Sequence, residues 1–218
     1  MRSLDFNAFN PRIARVLCLG AHADDLEIGC GGTVLRLAQA PTPPAFTWVV
    51  LSSDGVRAEE AVRSAQALLH GTPVPQIRIE HFRDGFLPYE APHVKAIFEE
   101  LKEVTYPDLI LTHYRHDLHQ DHRLISELTW NTFRDHWILE YEVPKYDGDL
   151  GAPNVFVPLD ETVCRRKIGA ILEGFPSQRH KRWFSEDVFR ALLRLRGVEC
   201  NAPSGQAEAF YGRKLVFG

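Results

Sequence analysis

The chain has 218 residues, 44 % of them apolar and 25 % charged, enough to bury the core of one large α/β domain. Its 25 basic and 29 acidic side chains leave a formal charge of −4, a balance that speaks against nucleic acid or a membrane surface as a partner. No stretch approaches the ~20 apolar residues that span a bilayer, and MRSLDFNAFNPRIARVLCLG lacks the long apolar run and cleavage site of a signal peptide, so a cytoplasmic setting is expected.

Ala14 to Gly20 is short, apolar and closed by glycine, as a buried parallel strand should be. Glu27 to Ala40 reads as a helix with Ile28, Val34, Leu35 and Leu37 on its apolar side, and Phe46 to Ser52 as a second strand. Arg57 to Leu69 is rich in helix formers and ends before Gly71 and Pro73. A third strand is expected at Gln76 to Phe82, a helix at His93 to Val104, a fourth strand at Asp108 to Thr112 and a helix at Asp121 to Phe133. Strands at Trp137 to Val143 and Asn154 to Leu159, helices at Glu161 to Leu172 and Ser185 to Leu195, and a last strand through Ala209 to Phe217 complete the chain.

Alternation of this kind predicts an α/β fold: a doubly wound, mostly parallel sheet with helices on both faces. With no repeat or linker, residues 1–218 read as a single domain, its core over about 12–143 and a C-terminal elaboration over about 144–218. In a sheet of order 3-2-1-4-5, ligands bind in the crevice beyond the carboxyl ends of strands one and four. AHADDLEIGCGGT directly follows strand one, and HYRHDLHQDH directly follows strand four.

These two runs supply His22, Asp24 and Asp25 on one side and His119, Asp121 and His122 on the other. Two imidazoles and a carboxylate can hold zinc and leave a position for water, with a carboxylate and an imidazole to spare for proton transfer. Adjacent carboxylates point different ways, so one of Asp24 and Asp25 can bind metal while its neighbour accepts a proton. His119 and His122 share a side if that segment is already helical, and Asp121 can fix an imidazole tautomer. His113 and His116, just upstream, are candidates for a supporting role.

Several features read more plainly. Gly29, Gly31 and Gly32 miss the dinucleotide GxGxxG spacing, with Val34 where the last glycine belongs, and are expected to allow close helix packing instead. Cys18, Cys30, Cys164 and Cys200 include no CxxC pair and are expected to be reduced thiols, Cys30 as a packing residue. The run Arg179-His180-Lys181-Arg182 reads as a solvated turn, with an anion or substrate contact as the alternative.

AHADDLEIGCGGT followed by HQDH resembles the PIG-L/LmbE family of zinc-dependent N-deacetylases, and the likeness continues through SDGVRAEE, RSAQALLHG and DLILTH, up to about Asp135. The resemblance implies a Rossmann-like fold and a small-molecule N-acetylated sugar or glycoconjugate as substrate. It implies His22, Asp25 and His122 as zinc ligands, Asp24 as the base that activates water, and His119 as the group that stabilises the oxyanion or protonates the departing amine. Asp121 would orient His119, and Arg57 would reach the substrate. Ala23 stands where the family most often has proline, which removes a backbone restraint without blocking the site. Iron or manganese also suits such a mixed N/O site. An amidase for a larger acyl or thiol-sugar conjugate and a non-catalytic metal-binding module are the alternative functions. The oligomeric state is left open, and a homo-oligomer is compatible with the sequence.

Overall fold

A computed structural model describes residues 13–216; residues 1–12 and 217–218, including Phe217 where the final strand was expected to end, lie outside the described residues. In chain order the elements are β1 (Arg15–His22), α1 (Asp25–Ala38), β2 (Ala45–Ser52), α2 (Gly55–Leu68), β3 (Gln76–Ile79), α3 (Ala91–Thr105), β4 (Leu109–His113), α4 (Gln120–Thr132), β5 (Trp137–Tyr141), β6 (Val155–Pro158), α5 (Glu161–Gly174), α6 (Glu186–Glu199) and β7 (Ala207–Gly212). The strands form one sheet of order β3-β2-β1-β4-β5-β7-β6. The β3-β2-β1-β4-β5 portion is parallel, and β7 runs antiparallel to both β5 and β6. The expected doubly wound order is therefore present, extended at one edge by a returning strand.

The period-2 alternation of β1 separates two apolar layers. Val16 and Cys18 face α1, α2, α5 and α6, where Phe46, Trp48, Val34, Leu68, Ile168 and Phe189 are buried. Leu17, Leu19 and Ala21 face α3 and α4, where Val94, Phe98, Leu101 and Ile125 are buried. Burial on both faces explains why β1 is apolar almost throughout. No helix among the described residues is long and apolar enough to cross a membrane.

Four strands are shorter than their sequence suggests, β5 and β6 by two residues each and β3 and β7 by more. β3 stops at Ile79, after which His81 makes only an isolated bridge to Ser52 and turns its Nδ1 to the Ser53 carbonyl. β7 ends at Gly212, whose N–H and carbonyl are both taken by the Asn154 side chain, while Arg213 turns inward to the buried Glu140 carboxylate.

Glycines Gly29 and Gly32 do allow close packing. A Cβ on Gly29 would stand 2.1 Å from the Tyr141 ring, and one on Gly32 would stand 2.4 Å from Leu159. The N-terminal half of α1 can therefore lie against β5 and the residues following β6 only because these positions carry no side chain.

Candidate metal centre

Parallel pairing of β1 with β4 brings their carboxyl ends side by side. His22 is the last residue of β1, Asp24 stands at the N-cap position of α1 without a side-chain cap bond, and Asp25 opens that helix. Across the crevice His113 ends β4, and His119 caps α4 by accepting the Asp121 N–H at its Nδ1, 3.3 Å away. His122 follows in the first turn of α4, so the cap fixes how the HQDH run enters the site.

The two runs meet. His22 Nδ1 lies 3.2 Å from His122 Nε2 and 3.3 Å from Asp25 Oδ2, and His122 Nε2 lies 3.5 Å from the same carboxylate oxygen. Tetrahedral bonds of about 2.0–2.1 Å place ligand atoms about 3.3–3.4 Å apart, so these three atoms form one face of a zinc-sized tetrahedron. A second overlapping donor group, Asp25, His113 and His122, is less suited, because His113 Nε2 already accepts the Ala21 N–H at 2.9 Å. His113 instead stacks on His122, ring centroids 3.9 Å apart, and lies 3.2 Å from Asp25. His116, the other upstream candidate, is exposed and stands edge-on to Tyr114.

The adjacent carboxylates divide as their backbone directions require. Asp25 Oδ2 accepts the His22 backbone N–H at 2.7 Å and faces the imidazoles. Burial opposes its charge, but His122, His113 and His22 outweigh it and hold its pKa well below the usual range. Asp24 turns away: Oδ1 accepts from Arg57 at 3.1 Å, whereas Oδ2 is buried without a hydrogen-bond partner. Burial raises the Asp24 pKa against the opposing pull of Arg57. His119 is half-buried, its ring 4.8 Å from that of His22, and burial followed by the His22 charge lowers its pKa.

Asp121 does not face His119 as expected. Residues two apart on a helix project to different sides, so only the Asp121 backbone reaches the His119 ring. Its carboxylate lies 3.2 Å from His22 Nε2 and accepts N–H groups of Gly85 at 2.7 Å and Leu87 at 3.1 Å. It thereby orients His22, leaving Nδ1 toward the donor cluster, and ties down the 83–87 segment. Asp84 in that segment lies 3.1 Å from His22 Nε2 and 3.6 Å from Arg57, and His22 holds its pKa at about 2.

Sequence reasoning missed Asp84, Asp117 and Lys145. Asp117 Oδ2 accepts from His122 Nδ1 at 2.9 Å, and Oδ1 accepts the His119 N–H at 2.8 Å. Burial pushes the His122 pKa down to about 4, with His113 adding to the effect. Asp117 was visible inside HDLHQDH, two residues before His119. Asp84 and Lys145 carry no spacing signal, because their contacts are tertiary. Cys30 lies in the apolar core and turns its thiol to the Leu26 carbonyl rather than to the cluster. In the basic run Lys181 is half-buried, and its charge acts on Asp24.

Fold and site together define a doubly wound α/β protein with a histidine–carboxylate centre at the point where strand order reverses. Residues 17–133, more than half the chain, match the family model described as PIG-L: GlcNAc-PI de-N-acetylase, and the chain belongs to that family. Solved structures share the architecture. N,N′-diacetylchitobiose deacetylase from Pyrococcus horikoshii is 21 % identical, with 94 % of this chain and 86 % of that one covered at a TM-score of 0.67. The A40926 pseudoaglycone deacetylase Dbv21 is 16 % identical, with 91 % and 96 % covered at 0.68. The 4-carboxy-2-hydroxymuconate hydratase GalB from Pseudomonas putida is 17 % identical, with 94 % and 99 % covered at 0.70. Likeness at these identities is one of fold, and a fold shared by deacetylases and a hydratase leaves the reaction to be argued from the site.

Proposed function

We propose that this protein is a zinc-dependent N-deacetylase that removes acetyl from an N-acetylated amino sugar or glycoconjugate. One observation carries the reading. His22 Nδ1, Asp25 Oδ2 and His122 Nε2 lie 3.2–3.5 Å apart, and the adjoining residue, Asp24, keeps one buried oxygen unpartnered. Family membership supplies the reaction class that such a centre would serve.

His22, Asp25 and His122 would hold the ion, and zinc bound there supplies Lewis acidity and brings the pKa of water toward ~7. Asp24 is the general base: Arg57 fixes Oδ1, so the unpartnered Oδ2 is left to take the proton from water. Its raised pKa makes it a better acceptor than an exposed aspartate. His119 has its Nδ1 lone pair engaged by the Asp121 N–H, so the neutral ring carries its proton on Nε2. That N–H can donate to the developing oxyanion of the amide. Arg57 and Asp84 offer polar groups of both signs to a sugar at the mouth. All four cysteines are free and buried, which suits a reducing, cytoplasmic setting.

The test is amine and acetate release from a panel of N-acetyl amino sugars by zinc-loaded protein. Equimolar release, abolished by chelation and restored by zinc, is expected. Full turnover after the metal has been stripped would sink the reading, and release only from long-acyl substrates would replace acetyl with a larger group.

A further inference from the structure

The loop between β5 and β6 sends a lysine under the second motif. Lys145 Nζ lies 3.0 Å from Asp117 Oδ2 and 2.5 Å from Asp149 Oδ2, and it also reaches the Val143 carbonyl at 3.4 Å. The side chain is 9 % exposed, and those of its two carboxylate partners are 3 % and 6 % exposed. An ammonium held between two buried carboxylates is not available to a substrate.

Asp117 carries three obligations. It accepts from His122 Nδ1 and from the His119 backbone N–H, and it shares Oδ2 with Lys145. A buried carboxylate costs several kcal/mol unless paired, and a carboxylate behind a metal-binding imidazole fixes the ring's tautomer and orientation. Asp149 secures the arrangement by also accepting the Leu118 N–H at 2.7 Å. At its far end the loop is held by Arg196, which donates to the Gly151 carbonyl and to Glu142. The C-terminal third of the chain thus reaches the centre through a continuous series: Asp149, Lys145, Asp117, His122.

We infer that Lys145 is a positioning residue for the metal centre, holding the Asp117 carboxylate where it accepts His122 Nδ1–H and leaves the Nε2 lone pair facing the ion. The inference rests on the metal assignment proposed above, which the wild-type protein tests separately. Without Lys145, Asp117 and Asp149 would be two buried carboxylates with no shared cation, and Asp117 would be free to leave His122.

The experiment is zinc titration of metal-free full-length protein against a chromophoric chelator, for wild type, Lys145→Met, Asp117→Asn and the double variant. Thermal unfolding of the metal-free forms checks that each is folded. Removal of groups behind a ligand costs about 10–100-fold in metal affinity. Lys145→Met is expected to weaken zinc about 10-fold, and Asp117→Asn at least as much. The double variant should bind no more weakly than Asp117→Asn, because Lys145 acts only through that carboxylate. Asp149→Asn should give a smaller loss in the same direction and provides a second route should Lys145→Met fail to fold. Affinity within twofold of wild type in Lys145→Met, or penalties that multiply in the double variant, would overturn the inference. A wild-type protein that binds no zinc would remove the metal assignment and this inference together.

Discussion

Asp24 and Asp25 are adjacent in sequence and opposite in circumstance: one faces three imidazoles, the other an arginine and empty hydrogen-bonding capacity. The difference predicts separable phenotypes. Asp24→Asn should retain zinc by elemental analysis yet lose about 10²–10⁴-fold in kcat, the range for removal of a general base. His122→Ala should lose the zinc itself. Glu27, two residues on, is buried, and burial raises its pKa to about 8 from 4.5 against the smaller opposing pull of the Ser64 hydroxyl. The sign follows by linkage. Below pH ~4.5 the carboxyl is protonated in both states, so its neutral form costs no deprotonation energy. Between pH ~4.5 and ~8 the unfolded chain releases a proton that the native state keeps, so native stability falls as pH rises, by at most ~5 kcal/mol. In metal-free protein, Glu27→Gln should therefore raise the urea midpoint at pH 8 and leave it nearly unchanged at pH 4.5. Equal shifts at both pH values would contradict this.

Residue by residue, the positions that meet in the cluster were legible where backbone spacing alone brings them together. His22, Asp24 and Asp25 share one strand-to-helix turn, and His119 and His122 share one helix start. The support behind them was less legible. Asp121 was paired with the wrong histidine because its contact is set by the packing of α4 on β1, not by its neighbours in sequence. Lys145 lies in a polar turn that gives no hint of burial.

Among the elements, α1 depends most on its surroundings. The N–H groups of Gly32 and Thr33 donate to Glu208 at 2.7 and 2.6 Å, and the Thr33 hydroxyl does so at 2.5 Å. Lys167 from α5 donates to the Ile28 carbonyl and to Glu208. A buried lysine–glutamate pair is thus set into the side of the helix that carries Asp25. Glu208→Ala would strand a buried ammonium and two backbone donors. Loss of one partner of such a pair costs about 3–5 kcal/mol, and a guanidinium midpoint measured against wild type reads it. Gly29→Ala should also destabilise, by about 1–3 kcal/mol or more, since its new methyl would displace the Tyr141 ring. Sequence pattern located α1, α2, α3 and α4 to within a few residues, although only α3 packs a regular apolar stripe, Val94, Ile97, Phe98 and Leu101. The short edge strand β3 and the end of β7 were overestimated: past Ile79 the pairing with β2 becomes irregular and His81 bonds Ser53 with its side chain, and at Gly212 the Asn154 side chain takes both backbone groups.

On the scale of the molecule, the centre sits where β1, α1 and α4 meet, elements held together by the sheet and by the packing of helices on it. With His22, Asp25 and His122 as the proposed ligands, zinc needs β1, α1 and α4 in place and should stabilise the native state alone. At free zinc near 1,000 times Kd the gain is about 4 kcal/mol. For a chain of this size that is a rise in Tm of roughly 8–16 °C. Differential scanning calorimetry of stripped and reloaded protein measures it, and an unchanged Tm at saturating zinc would mean that the cluster holds no ion. The sheet order β3-β2-β1-β4-β5 followed from strand–helix alternation, since right-handed crossovers leave few arrangements. The antiparallel return through β7 did not, because no rule of alternation governs where a late strand inserts.

That insertion has a consequence for how the protein is made. β6 pairs with the sheet only through β7, and β7 also delivers Glu208 to α1. A nascent chain leaving the ribosome exposes His22, Asp25 and His122, the proposed ligands, while the wall behind them is still unfinished. The final edge closes only when residues near 207 emerge. Full zinc affinity would therefore arrive only with that edge, since Glu208 anchors the helix on which Asp25 stands.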